Sequence, residues 1–213
     1  MPTLAITTTY AMPANLPLNA TSSFTLPQAR AMECKLLFDR DLYNPGHVWV
    51  PDVAERMSAI YVDSQFYSFF KLVPEAQKAL TIVARLGKRD ERVALTLTKR
   101  GYAIWAYEPA ARYAPPDHRP GHTIRPAFGP KPCLLLTEAN VYEQCQIKVS
   151  DLSQPMDAIT YQNRHYSIFQ RHSDVSRLLK MAAKLARKGD DMTIVLTPSD
   201  YILGLFEPNG RRL

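Results

Sequence analysis

The chain has 213 residues, 46% of them hydrophobic and 22% charged, with a net charge of +6 and three cysteines. It lacks the ~18–20-residue apolar run of a membrane-spanning helix, the cationic start of a secretory signal, and the cysteine spacing of a disulfide framework or zinc module. We therefore expect a reduced, cytoplasmic globular protein that does not contact a membrane.

Residues 1–31 form an N-terminal arm, and residues 1–29 of it carry no charged side chain. A segment of this composition is either disordered or laid as an extended strand on this chain or another one. We favour docking, because apolar side chains recur along the arm. The candidate partner-binding residues are Leu4, Ile6, Tyr10 and Met12.

Residues 32–109 contain short apolar strands, then one helix, then a hairpin. CKLLF and VWV are strands, and AIYVDSQFYSFF is two strands around a turn at Asp63–Ser64. Apolar residues at helical spacing from Ala76 to Ala84 predict an amphipathic helix that opens near Pro74. VALTLT and YAIWAYE then close the segment as a hairpin.

The Pro-rich, basic segment 110–130 predicts a semi-rigid, extended linker. Residues 131–208 repeat the earlier order: strands, a turn at Asn163–Arg164, a helix, and a hairpin. Ser173 is the expected N-cap of this second helix, and Gly189 is expected to end it. Residues 209–213 are a basic C-terminal tail.

Sliding the sequence by 99 positions aligns residues 32–109 with 131–208 without a gap, and 20 of the 78 pairs are identical. This self-similarity predicts a tandem duplication of one α+β unit with its helix against one sheet face. Because a unit of this size has a marginal core alone, we expect the two units to pack as a pseudo-twofold pair.

No sequence motif indicates an enzyme, a cofactor or a metal. The chain has no GxGxxG, Walker, HExxH or GxSxG motif. His118 and His122 lie in the Pro-rich linker, where a helical i, i+4 geometry cannot be held, and His165 has no acidic or cysteine companion nearby. Cys34 and Cys133 occupy apolar strands and are expected to be buried.

Cations occupy equivalent places on the two predicted helices, at i, i+7 and i+10, opposite the apolar stripe. Paired across two units, they would form a basic surface suited to phosphates. The alternative is an ordinary solvated helix face. The cations are Lys78, Arg85, Lys88, Arg177, Lys184 and Arg187.

Trp105 and Tyr107 alternate with apolar residues on the last strand of the first unit. On an open sheet face they would stack bases, as in sheet-based single-strand binders. On a covered face they would instead be an interface with the sister unit or the arm.

These features favour a non-enzymatic protein that binds single-stranded DNA or RNA through the paired basic helix faces. Arginines in the linker and the tail would add phosphate contacts; these are Arg119, Arg125, Arg211 and Arg212. The alternative is a protein-assembly or regulatory adaptor that binds a protein partner, or itself, through residues 1–29 and the apolar sheet face.

Overall fold

The computed structural model describes residues 31–51, 53–87, 92–138 and 140–213. The predictions for Leu4, Ile6, Tyr10, Met12 and Lys88 lie outside these residues. In the part of the chain that is described, 14 strands and two helices make a mixed α+β fold that is mostly sheet. The predicted α+β class is therefore confirmed.

Within the described residues, each half of the chain supplies seven strands and one α-helix. In the first half (31–130) the elements are β1 (Met32–Leu37), β2 (Asn44–Trp49), β3 (Met57–Val62), β4 (Gln65–Val73), α1 (Ala76–Gly87), β5 (Val93–Thr98), β6 (Gly101–Tyr107) and β7 (Arg112–Ala114), with a 3-10 turn at Arg40–Leu42. In the second half (131–213) they are β8 (Cys133–Leu136), β9 (Glu143–Lys148), β10 (Met156–Tyr161), β11 (Arg164–His172), α2 (Val175–Arg187), β12 (Met192–Leu196), β13 (Tyr201–Phe206) and β14 (Arg211–Arg212).

The described strands form one continuous sheet. Its centre is the antiparallel pair β1–β8, in which Cys34 lies opposite Cys133. Outward from β1 the order is β5, β6, β4, β3, β2, β7, and outward from β8 it is β12, β13, β11, β10, β9, β14. The strands of the two halves thus follow the same order in opposite directions, and the halves are joined edge to edge.

Tight turns set the register of the outer strands. Asp63 and Ser64 have φ of 49° and 60° between β3 and β4, and Gln162 and Asn163 have φ of 47° and 61° between β10 and β11. Two successive left-handed residues are typical of the two-residue turns that match strand twist. The second turn therefore lies one residue earlier than the predicted Asn163–Arg164.

Both helices pack on the same face of the sheet, over its central strands. The buried side chains of α1 recur at helical spacing, from Ala76 through Leu80 to Leu86, and those of α2 recur in the same way. They share one core with Cys34 and Leu36 of β1 and with apolar residues of β8, β12 and β13. Tyr102 of β6 also hydrogen-bonds Ser176 of α2 at 3.0 Å, so the helix layer links the two halves.

The N-cap of α2 is Asp174, not the predicted Ser173. Its carboxylate accepts hydrogen bonds from the backbone N–H groups of Ser176 and Arg177 at 2.9 and 3.2 Å. These bonds, that of Arg177 most strongly, hold the pKa of Asp174 below its usual value. Both residues are known N-caps, and a carboxylate adds a favourable interaction with the positive end of the helix.

The opposite face of the sheet, called here the second face, carries its own smaller cores. In the first half one such core joins Leu37 of β1 and Ala94 of β5 to Ile60 and Val62 of β3. Three strands separate β1 from β3 in the sheet. In a flat sheet, the distance between β1 and β3 would therefore be about 19 Å. The sheet therefore curls so that its outer strands fold back over its centre.

The segment 110–130 lies along the first half. Its residues 112–114 are β7, which pairs with β2 at one edge of the sheet. Further on, Asp63 donates its backbone N–H to the carbonyl of Ala127 at 2.8 Å and accepts the N–H of Gly129 at 3.0 Å. No helix within the described ranges is long and apolar enough to cross a membrane.

Candidate nucleic-acid interface

All charged residues of the two helices are basic. α1 contains Lys78 and Arg85 and no acidic residue, and α2 contains Arg177, Lys180, Lys184 and Arg187 and no acidic residue. All six side chains are exposed. Because α1 and α2 pack on one sheet face and touch each other, the six cations lie on the same side of the molecule.

Three of these cations already have carboxylate partners. Lys78 binds Glu75 at 2.8 Å, and Arg177 binds Asp174 at 3.5 Å. Arg187 binds Asp39 at 2.6 Å and Asp41 at 2.9 Å, which ties α2 to the 3-10 turn region of the first half. The hydrogen bonds that Arg187 donates to Asp39 and to Asp41 raise its pKa above the ordinary value.

The other three, Arg85, Lys180 and Lys184, have no ion-pair partner among the residues that the structure describes. Binding an external anion would therefore not require any of these three side chains to break an ion pair with the described residues. Lys184 is the counterpart of Arg85 when residues 32–109 are aligned with 131–208.

The linker and tail arginines predicted to help are not on the helices. Arg119 and Arg125 follow β7, and Arg211 and Arg212 form β14. Among the described strands, β7 and β14 lie at the two edges of the sheet. Arg212 also binds Glu143 at 2.6 Å. These four arginines are exposed but flank the sheet edges rather than extend the helix surface.

The predicted aromatic residues lie on the second face, away from the helices. Trp105 and Tyr107 are half-buried against the small core of their own half. Trp105 donates its indole N–H to Thr96 at 2.9 Å, and the guanidinium carbon of Arg92 lies 3.7 Å from the centroid of the Tyr107 ring. The structure therefore does not bring these rings together with the helix cations.

Two exposed phenylalanines were not selected from the sequence as site residues. The register between β4 and β6 shifts at Phe70, and that between β11 and β13 shifts at Phe169. Both are β-bulge residues, and each is 50% exposed. The alignment shows phenylalanine at both matched positions. It does not show that these side chains are exposed, because the bulges depend on how the strands pair.

The cysteines divide into buried and partly exposed thiols. Cys34 and Cys133 are buried, as the sequence predicts, and burial raises the pKa of Cys34 to about 12 and that of Cys133 well above its ordinary value. Cys145 contacts the hydroxyl of Thr160 at 3.1 Å, and that hydroxyl contacts His165 Nδ1 at 2.8 Å. His165 therefore does have a cysteine nearby, brought close by pairing of three neighbouring strands.

No set of three or more His, Cys, Asp or Glu side chains in the described residues is arranged to hold a metal ion. In the linker, His122 Nδ1 lies 2.7 Å from the hydroxyl of Tyr113. No protein-family model matches the chain, and neither curated proteins nor solved structures give a significant match.

Proposed function

We propose that residues 32–109 and 131–208 are two copies of one unit, paired about a pseudo-twofold axis between β1 and β8. The matching strand order supports this, as do the bulges at Phe70 and Phe169. The closing hairpins also end alike: Ser68 donates to Glu108 and Ser167 donates to Glu207, both at 2.7 Å.

The function that this arrangement supports best is binding of single-stranded DNA or RNA, without catalysis. The observation that carries the proposal is the helix layer, in which α1 and α2 together contain six basic and no acidic residues and present the six cations on one side of the molecule. Lys78 and Arg85 are seven residues apart, which is about 10.5 Å along the helix axis. Phosphates distributed along a flexible strand can meet cations at such intervals.

In this proposal Arg85, Lys180 and Lys184 make the main phosphate contacts. Lys78, Arg177 and Arg187 add contacts where a phosphate competes with their carboxylates. The linker and tail arginines contribute only if the strand continues to a sheet edge. A cytoplasmic location is part of the proposal, because free thiols such as Cys145 persist in a reducing compartment.

The test is fluorescence anisotropy with labelled mixed-sequence DNA and RNA strands at about 50 mM and about 200 mM salt. We expect binding at the lower salt concentration that weakens at the higher one. Combined Arg85→Glu and Lys184→Glu substitutions should abolish it. An absence of binding at low salt would contradict the proposal.

The exposed bulge residues favour a second candidate function, an adaptor that binds a protein partner through the arm and the apolar sheet face. Phe70 and Phe169 would be its contact residues on the sheet. Combined Phe70→Ser and Phe169→Ser substitutions, or deletion of residues 1–29, should then release a co-purifying protein or lower self-association, with nucleic-acid binding unchanged. If neither change alters the oligomeric state or the co-purifying proteins, the adaptor proposal fails.

A further inference from the structure

A polar cavity of about 220 Å³ opens on the second face of the first half. Its lining includes Lys35 of β1, Gln65 and Tyr67 of β4, Asp63 of the preceding turn, and Arg92, which directly precedes β5. The cavity lies on the sheet face opposite the helices, so it is separate from the proposed nucleic-acid interface.

Most polar groups in the cavity already have partners. Lys35 Nζ donates to Asp63 Oδ2 at 2.7 Å and to the carbonyl of Pro130 at 3.1 Å, and Asp63 Oδ1 accepts the N–H of Gly129. Tyr67 is buried and donates its hydroxyl to Gln65 Oε1 at 3.0 Å. Lys35 and Asp63 thus neutralise each other, and neither is left as an uncompensated charge.

The guanidinium of Arg92 differs from these groups. It stacks on the ring of Tyr107, with its carbon 3.7 Å from the ring centroid, which restricts its orientation at the cavity. It has no carboxylate partner among the residues that the structure describes. Glu33, which also lines the cavity, is exposed to solvent.

The second half provides an internal comparison. Phe206 takes the place of Tyr107, Arg164 that of Gln65, and Asp191 that of Arg92. There, too, a guanidinium stacks on the ring, since the Arg164 carbon lies 4.2 Å from the Phe206 centroid. In this half, however, Arg164 Nη2 donates to Asp191 Oδ2 at 2.6 Å, so the chain supplies its own carboxylate.

The backbone shows that the two sites correspond. The N–H of Tyr107 donates to the carbonyl of Arg92, and the N–H of Phe206 donates to the carbonyl of Asp191, both at 2.9 Å. In the second half the guanidinium stacked on the ring therefore bonds a carboxylate of the chain, whereas in the first half the guanidinium stacked on the ring bonds no carboxylate of the described residues.

We propose that the cavity of the first half binds a small molecule bearing a carboxylate or phosphate group, with Arg92 as the anion-binding residue. The planar guanidinium offers two parallel N–H donors that match either group. The external anion would take the role that Asp191 has toward Arg164. Tyr107 would keep the guanidinium in place.

The experiment is isothermal titration calorimetry of the full-length protein with inorganic phosphate and, separately, with citrate, at constant ionic strength set by chloride. We expect saturable binding of one anion per chain, with a dissociation constant on the order of 1 mM or lower. The stronger of the two anions identifies whether phosphate or carboxylate is preferred. Absence of saturable binding by both would overturn the proposal.

Two variants test the role of Arg92. Arg92→Gln should weaken binding at least about tenfold, whereas the same change at the ring-stacked guanidinium of the second half, Arg164→Gln, should leave the affinity unchanged. Circular dichroism checks that both variants fold. Equal affinity of the wild type and Arg92→Gln would also overturn the proposal.

A double substitution guards against a folding defect. Gln65→Arg with Arg92→Asp transplants the ion pair of the second half into the first, so a guanidinium and its carboxylate remain together beside Tyr107. This variant should fold and lose anion binding, and retained binding would refute the assignment. Arg85→Glu with Lys184→Glu should not alter the titration, which separates this proposal from that of nucleic-acid binding.

Discussion

Reversing the charges of Arg85 and Lys184 removes two of the three helix cations that lack an ion-pair partner in the described residues. Each phosphate contact on a single strand contributes a salt slope of about −0.7 to log K against log salt. Three contacts give a slope of about −2, which is about a 20-fold loss of affinity between 50 and 200 mM salt. If all six helix cations engage phosphates, the same calculation gives a loss of about 300-fold.

The Arg85→Glu, Lys184→Glu variant loses two contacts and adds two repulsive charges, so it should bind below detection at low salt. The assay is fluorescence anisotropy of a labelled single strand of about 20 nucleotides, longer than common binding sites. Lys131→Glu with Lys148→Glu is the matched control, because it makes the same charge change at exposed positions off the helices.

That control should keep most of the affinity and most of the salt slope. The reasoning is refuted if the control and the helix variant lose affinity equally, since net charge alone would then determine binding. It is also refuted if wild-type affinity does not change between the two salt concentrations.

Three further predictions concern buried tyrosine and cysteine side chains. Tyr166 is buried with no partner for its hydroxyl in the described residues, whereas the Tyr67 hydroxyl hydrogen-bonds Gln65. In urea unfolding, Tyr166→Phe should therefore leave the free energy of unfolding unchanged or raise it. Tyr67→Phe should lower it by about 1 kcal/mol. A reversed order would contradict this. Burial raises the pKa of Cys34 from 9.0 to about 12. Above about pH 9 the unfolded chain therefore binds fewer protons than the native protein, and the free energy of unfolding should fall as the pH rises. Native protein should expose only Cys145 to a thiol reagent near pH 8, and rapid labelling of all three cysteines would contradict the burial.

The local elements follow closely from the sequence. Apolar spacing from Ala76 to Leu86 is sufficient to predict a helix with one buried face. The apolar runs VALTLT and YAIWAYE, separated by the turn at residues 99–101, predict the hairpin. The first residue of a helix is harder to predict than its buried face, because Ser173 and Asp174 are both acceptable N-caps of α2. The cap is decided by which side chain reaches the free N–H groups.

The joining of the two halves was not predictable in detail. β1 and β8 pair through backbone hydrogen bonds between Met32–Cys34 and Cys133–Leu135, and such bonds leave little trace in side-chain patterns. The apolar face of β1, which carries Met32, Cys34 and Leu36, is compatible with edge pairing or face packing. The sequence therefore supports two packed units without specifying one continuous sheet.

The candidate site was predicted in part. Helical periodicity is enough to place Arg85 and Lys184 on exposed helix faces, and both are exposed. It could not show that Asp39 and Asp41 bind Arg187, because 146 residues separate Asp41 from Arg187. It also could not show that Trp105 lies on the other sheet face, since that depends on which side the helices cover.

Lysine footprinting with a bound single strand tests the proposed interface most directly. Acetylation of each lysine is measured by mass spectrometry with and without a mixed-sequence DNA strand at low salt. The proposed interface predicts protection of Lys78, Lys180 and Lys184 on the helices, with Lys131 and Lys148 modified equally in both samples. Protection of Lys148 or Lys131 while the helix lysines remain fully reactive would place the nucleic acid elsewhere and contradict the proposal.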